Sequence, residues 1–134
     1  MADQSSSLHV SVVTPEETVL DAAPEFVVLP LFDGELGVLP GHSPMIGRLG
    51  FGEMRLTIGG EVKSYYVDAG FAQVADNEVT VLTGRAMLTS DIDSAAAQAQ
   101  LDEGLARTAA TPDEGAMRDR MVSQARAQLR LAGK

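Results

Sequence analysis

The chain has 134 residues, 45% of them hydrophobic, a formal charge of −9 and no cysteine. That is the length of one domain, or of a domain with an appendage, and it carries enough apolar side chain for a packed core. The composition excludes disulfides, thiolate metal sites and thiol nucleophiles, and the acidity speaks against nucleic acid and against an anionic membrane surface, since both reward basic patches.

No run approaches the roughly eighteen apolar residues that span a bilayer, and Met1 to Ser7 lack a basic start and an apolar stretch, so a soluble chain kept in the cytoplasm is expected. Leu8 to Val13 alternates Leu8, Val10 and Val12 against His9, Ser11 and Val13, which is strand periodicity, and Thr14-Pro15 ends it. Short runs then recur at Thr18 to Leu20, Glu25 to Leu31, Leu36 to Leu39, Met54 to Ile58, Glu61 to Val67, Phe71 to Ala75 and Val79 to Thr83. Gly59-Gly60 and Asp76-Asn77 read as two-residue hairpin turns. Ten of the 13 glycines and five of the six prolines precede Leu88, as repeated chain reversal requires. The expectation is mainly β with an α tail: an N-terminal antiparallel β-sandwich over residues 1–88. Val10, Val12, Leu56, Ile58, Val67, Val79 and Val81 are its expected core, and Tyr65-Tyr66 should place one ring inside and one outside.

Beyond Met87 the chain turns to Ala- and Gln-rich, helix-favouring sequence, so residues 89–134 read as a C-terminal two-helix hairpin. Thr89 or Ser90 should cap a first helix with Asp91 and Asp93 in its first turn, running to about Arg107. Its expected inner face is Ile92, Ala95, Ala96 and Ala99, with Leu101 and Leu105 further on. Thr111-Pro112-Asp113-Glu114 forms a capping box opening a second helix to about Leu131, whose apolar stripe is Met117, Met121, Val122, Ala125 and Leu129. Arg118, Arg126 and Arg130 adjoin that stripe, and from Ala116 onward only Asp119 opposes five basic residues. A basic tail on an acidic protein suits an acidic protein partner, although a solvated helix face has the same pattern. Two short helices with mostly Ala and Met contacts are marginal by themselves, so the hairpin should be able to leave its resting place.

No catalytic, cofactor or metal constellation emerges. His9 sits on a strand and His42 in a loop, no carboxylate–histidine spacing matches zinc or calcium, and Ser43 lacks a Gly-x-Ser-x-Gly elbow. Gly34-Glu35-Leu36-Gly37 has neither dinucleotide-binding nor Walker spacing. Pro40-Gly41 and Pro44 stiffen the loop that holds His42, while Glu35 is the one charge on an otherwise apolar strand. A structural role for His42 and a solvated surface role for Glu35 are the plain readings.

Gly34-Glu35-Leu36-Gly37 with Pro40-Gly41-His42-Ser43-Pro44, together with Leu8 to Val13, Gly70-Phe71-Ala72, Val79-Thr80-Val81-Leu82 and Asp91-Ile92-Asp93, resembles the epsilon subunit of bacterial F-type ATP synthases, called delta in mitochondria. The resemblance implies a non-catalytic rotor subunit of the central stalk, peripheral on the cytoplasmic side of the bacterial inner membrane, with no direct membrane insertion. It implies that residues 1–88 join the gamma subunit to the membrane-embedded c ring, coupling proton flow to ATP synthesis on other chains. Glu35, His42 and Ser43 would face the c ring and stalk. Residues 89–134 would be a regulatory domain, with Arg118, Arg126 and Arg130 reaching acidic segments of the alpha and beta subunits to restrain hydrolysis. Some family members bind ATP on the tail through Ile/Leu-Asp-x-x-Arg-Ala; here Ile92-Asp93 is followed by Ala96 in place of arginine, so weak or no ATP binding is expected. The alternative from another class is a free-standing β-sandwich ligand-binding module with a helical dimerisation tail. It fits the architecture, but a chain without tryptophan and with 4% aromatics suits a carbohydrate site poorly.

Overall fold

The structure, a computed structural model, describes residues 7–133. The chain divides into two compact units, Met1–Leu88 and Thr89–Lys134. Among the described residues the first is built of strands: β1 (His9–Val13), β2 (Thr18–Ala22), β3 (Phe26–Leu31), β4 (Gly34–Val38), β5 (Met45–Ile58), β6 (Glu61–Ala75), β7 (Glu78–Leu82) and β8 (Ala86–Leu88).

Two long strands organise this unit. β5 and β6 pair antiparallel along their whole length through the Gly59-Gly60 turn, and each runs through both layers of a sandwich. The first half of β6 also pairs with β8, and the second half of β5 with β3, which carries β4 on its far edge. The second half of β6 pairs with β7, then β1 and β2. The corner lies where Gly50 of β5 meets Ala69 and Gly70 of β6, at φ of 60° and 115°. Left-handed backbone there lets one strand turn from one layer into the other. All neighbours are antiparallel except β1 and β7, so the expected antiparallel sandwich contains one parallel pair. The chain reaches that pair by a long return through the other layer, as parallel neighbours require.

The core between the layers joins Val10, Val12, Val79 and Val81 to Val27, Leu29, Val38, Met54, Leu56 and Val67, all essentially inaccessible. Ile58 packs against this cluster while remaining partly exposed. Tyr65 and Tyr66 depart from the expected alternation, because both are buried. Tyr65 joins the inner cluster; Tyr66, on the opposite face, donates its hydroxyl to Asp68 at 2.8 Å and has the Arg85 guanidinium 5.9 Å from its ring. β8, which pairs with Tyr66 and follows directly on Arg85, is not among the strands expected from the sequence.

The second unit opens with a 3-10 turn, Thr89–Asp91, followed by α1 (Ser94–Ala106) and α2 (Pro112–Leu131). α1 begins later than expected: Asp93, not Thr89 or Ser90, is its N-cap, with Oδ1 accepting from the Ala96 amide at 3.1 Å. Its buried positions are Ala97 and Gly104, with Gln100 and Leu101 half-buried between them, so the inward face is rotated from the expected one and Ala95, Ala96, Ala99 and Leu105 are exposed. The physical reason is close approach. A Cβ on Gly104 would stand 3.0 Å from a Val122 methyl, so the helices meet at a glycine rather than at the leucines. Gln100 adds polar bonds to Met121 O (2.9 Å) and Gln124 Oε1 (3.1 Å). The capping box of Thr111 and Glu114 forms as its residues dictate. Along α2 the buried residues are Val122, Ala125, Ala127, Gln128 and Leu131, whereas Met117 is exposed. Among the described residues no helix is long and apolar enough to cross a membrane.

Candidate functional site

The loop between β4 and β5 is built as its composition demands. His42 N–H closes a turn onto the Leu39 carbonyl at 3.1 Å, Gly41 takes φ +86°, and its N–H donates to Asn77 Oδ1 at 2.7 Å. This last bond ties the loop to the β6–β7 turn, where Asp76 and Asn77 both hold left-handed backbone. His42 is half-buried, and its Nδ1 lies 2.7 Å from the Ser43 carbonyl. A carbonyl only accepts, so Nδ1 carries a proton and donates it to Ser43 O. His42 and Gly41 share a hollow of about 760 Å³ with His9, Asp76, Asn77 and Glu78.

Glu35 stands elsewhere, on β4, and takes different partners. Both its oxygens accept from the Arg55 guanidinium, at 3.0 and 3.3 Å, while Arg55 also reaches Glu53 at 3.3 Å. The fork geometry of this pair, reinforced by the positive charge itself, holds the Glu35 carboxyl below its ordinary value of 4.5. Glu35 is thus a paired charge and not a lone one, and Arg55, twenty residues away in sequence, belongs to the same surface feature. The structure does not group Glu35 with His42 and Ser43. Of the tail arginines, all on α2, Arg118 has a loose 3.7 Å contact with Asp119, and Arg126 and Arg130 are exposed one turn apart. No group of three or more metal-ligating side chains occurs among the described residues.

A second feature escapes the sequence reading. The outer face of the β5–β6–β7–β1 layer carries large apolar side chains in neighbouring registers. Phe71 lies opposite Leu82, Leu82 opposite Val13, and Phe71 opposite Arg48. Arg48 places its guanidinium 5.5 Å from the Phe32 ring, and Ile46 is one rung further along β5. Phe32, Ile46, Phe71 and Leu82 are 64%, 73%, 56% and 52% exposed. Scattered apolar residues on a surface are ordinary, whereas these neighbour one another across paired strands and form an exposed apolar patch. The signal was available: Phe71, Ala72 and Val74 put apolar groups on both faces of one strand, as do Ile46 and Leu49.

The described residues thus form a packed β-sandwich with an exposed apolar strip and a pinned loop, followed by a helical hairpin. The family description "ATP synthase, Delta/Epsilon chain, beta-sandwich domain" matches residues 7–89. The ATP synthase epsilon chain of Rhodopirellula baltica is 49% identical over 126 residues, covering 94% of this chain and 98% of its own length. The chloroplastic epsilon chain of Emiliania huxleyi is 42% identical, covering 72% and 75%. A chain in the mitochondrial ATP synthase of Euglena gracilis, in a structure comprising OSCP, F1 and c ring, shares the fold with a TM-score of 0.80 at 21% identity, covering 91% of this chain and 79% of that one. In the central stalk and c ring of the Tetrahymena thermophila mitochondrial enzyme another chain has a TM-score of 0.68 at 16% identity, covering 92% and 94%. The chain therefore belongs to the ATP synthase delta/epsilon family. It is a non-catalytic member of that complex, as the epsilon chains it matches are.

Proposed function

We propose that this chain is a rotor subunit of the central stalk in an F-type ATP synthase, joining the gamma subunit to the c ring so that proton flow drives ATP synthesis on other chains. The observation that carries this reading is the exposed strip of Ile46, Phe71, Leu82 and Phe32 on a sandwich whose interior is fully packed. Torque needs a stiff body with broad contact and no reactive pocket. The strip is assigned to gamma, because apolar area of this kind suits a lasting interface. Glu35, His42 and Ser43 are assigned to the c ring and stalk junction. There the Glu35–Arg55 pair offers opposite charges side by side, and the loop, held by Gly41 on Asn77, meets a polar surface without entering lipid.

The tail is the regulatory part of this reading. Arg118, Arg126 and Arg130 dock on acidic segments of the alpha and beta subunits and restrain ATP hydrolysis; the small contacts between α1 and α2, centred on Gly104, allow the hairpin to rearrange. Asp93 is engaged as a helix cap and Ala96 offers only a methyl, so ATP sensing by the tail is weak or absent. The protein works on the cytoplasmic side of the bacterial inner membrane as a peripheral part of the complex. The test is purification of tagged chain from native membranes, with and without residues 89–134, followed by an ATPase assay. Recovery of synthase subunits with both forms, and faster hydrolysis without the tail, is the expected result. Absence of synthase subunits overturns the rotor reading; an unchanged rate overturns the restraint.

A further inference from the structure

The strand β1 runs between the edge strand β2 and β7, and one side chain on it bridges both neighbours. His9 lies directly opposite Glu78 in the parallel register, with Nδ1 3.0 Å from Glu78 Oε1. Its Nε2 is hydrogen-bonded to Oδ1 of Asp21 on β2. A carboxylate only accepts, so both bonds form together only with imidazolium, which carries a proton on each nitrogen. A neutral ring turns a lone pair toward one of the two carboxylates.

The surroundings do not compensate. Asp76 of the β6–β7 turn and His42 of the β4–β5 loop line the same hollow, and among the described residues no lysine or arginine does. The other residues lining this hollow are uncharged: Ser7, Leu8, Ala23, Gly41, Pro44 and Asn77.

We propose that protonated His9 is a clasp that fastens the edge strand β2 to β1 and β7, and that this edge loosens as pH rises and the imidazolium is lost. The hydrogen bond to Glu78, then that to Asp21, raises the His9 pKa above its ordinary 6.5. Its contribution to stability is therefore complete below 6.5 and disappears as pH climbs through the raised folded value. Beyond that, two carboxylates face a neutral ring and repel one another. The edge is therefore tightest at the acidic side of the His9 titration. This inference concerns the isolated chain and stands apart from the assignment to gamma and the c ring.

The test is a pH titration of the full chain by NMR, following the His9 ring and the exchange protection of the β2 amides. His9 is expected to titrate above 6.5, and Asp21→Asn with Glu78→Gln to bring it down toward that value. Protection of β2 is expected to fall several-fold across the His9 titration, and to stay flat in His9→Gln, which keeps a neutral donor. Should the double variant not fold, the His9→Gln comparison decides alone. A His9 midpoint at or below 6.5, or an equal loss of protection in His9→Gln, overturns the proposal.

Discussion

A Cβ placed on Gly70 would stand 2.0 Å from the Leu82 carbonyl oxygen, and the residue already holds φ +115°. Neither condition can relax without moving the corner where β6 changes layer. Gly70→Ala is expected to cost at least about 2 kcal/mol in urea unfolding, from backbone strain and the clash with a neighbouring strand together. Gly59→Ala, at φ +61° with open space around it, should cost only about 1 kcal/mol, since it carries the strain without the clash. At the same scale, the lowered Glu35 pKa gives a pH signature. The stabilisation by Arg55 is present above the ordinary 4.5 and is lost as pH falls through the depressed folded value. Both partners are partly exposed, so native and Glu35→Gln chains should differ by no more than about 1 kcal/mol at neutral pH and low salt, converging in acid and in high salt. Thermal melts across pH read this directly. Residue patterns reveal which valines form the core, because alternation states it. They do not reveal that Glu35 is paired, because Arg55 comes alongside only after β3 has brought β4 and β5 together.

At the scale of elements, local chemistry decides how far the sequence speaks. The Gly-Gly and Asp-Asn turns and the Thr111 to Glu114 box are written in a few adjacent residues and form as expected. Thr111→Ala should remove about 1 kcal/mol from the tail and lower its helicity, a loss that circular dichroism of residues 89–134 within the full chain, by difference from the sandwich alone, would show. β5 and β6 are harder to read. Glycines at 47, 50, 52 and 70 look like strand ends, yet here they permit bending and close passage within single strands of 14 and 15 residues. β8 is three residues long and has too little pattern to signal itself. α1 starts later because Thr89–Asp91 forms a 3-10 turn first, and Asp93 then caps the Ala96 amide. The buried face of α1 turned because a glycine, which hydrophobic periodicity ignores, permits the closest approach.

For the whole molecule, the motif around Glu35 and His42 made the family legible, whereas the docking strip was not. Its residues lie on β5, β6 and β7 and in the β3–β4 turn, and only the pairing of strands makes them one surface. That surface is the proposed attachment to the stalk. The direct measurement is the affinity of the purified chain for its cognate gamma subunit, by calorimetry, for the native protein and for Phe71→Ser with Leu82→Ser. Both side chains are more than half exposed, so the variant should keep the native melting profile. Tight binding by the native chain is expected, with a loss of tenfold or more in the variant, since burying two large apolar side chains contributes several kcal/mol. Equal affinity in a folded variant would contradict the assigned face, and no binding by the native chain would contradict its role in the rotor.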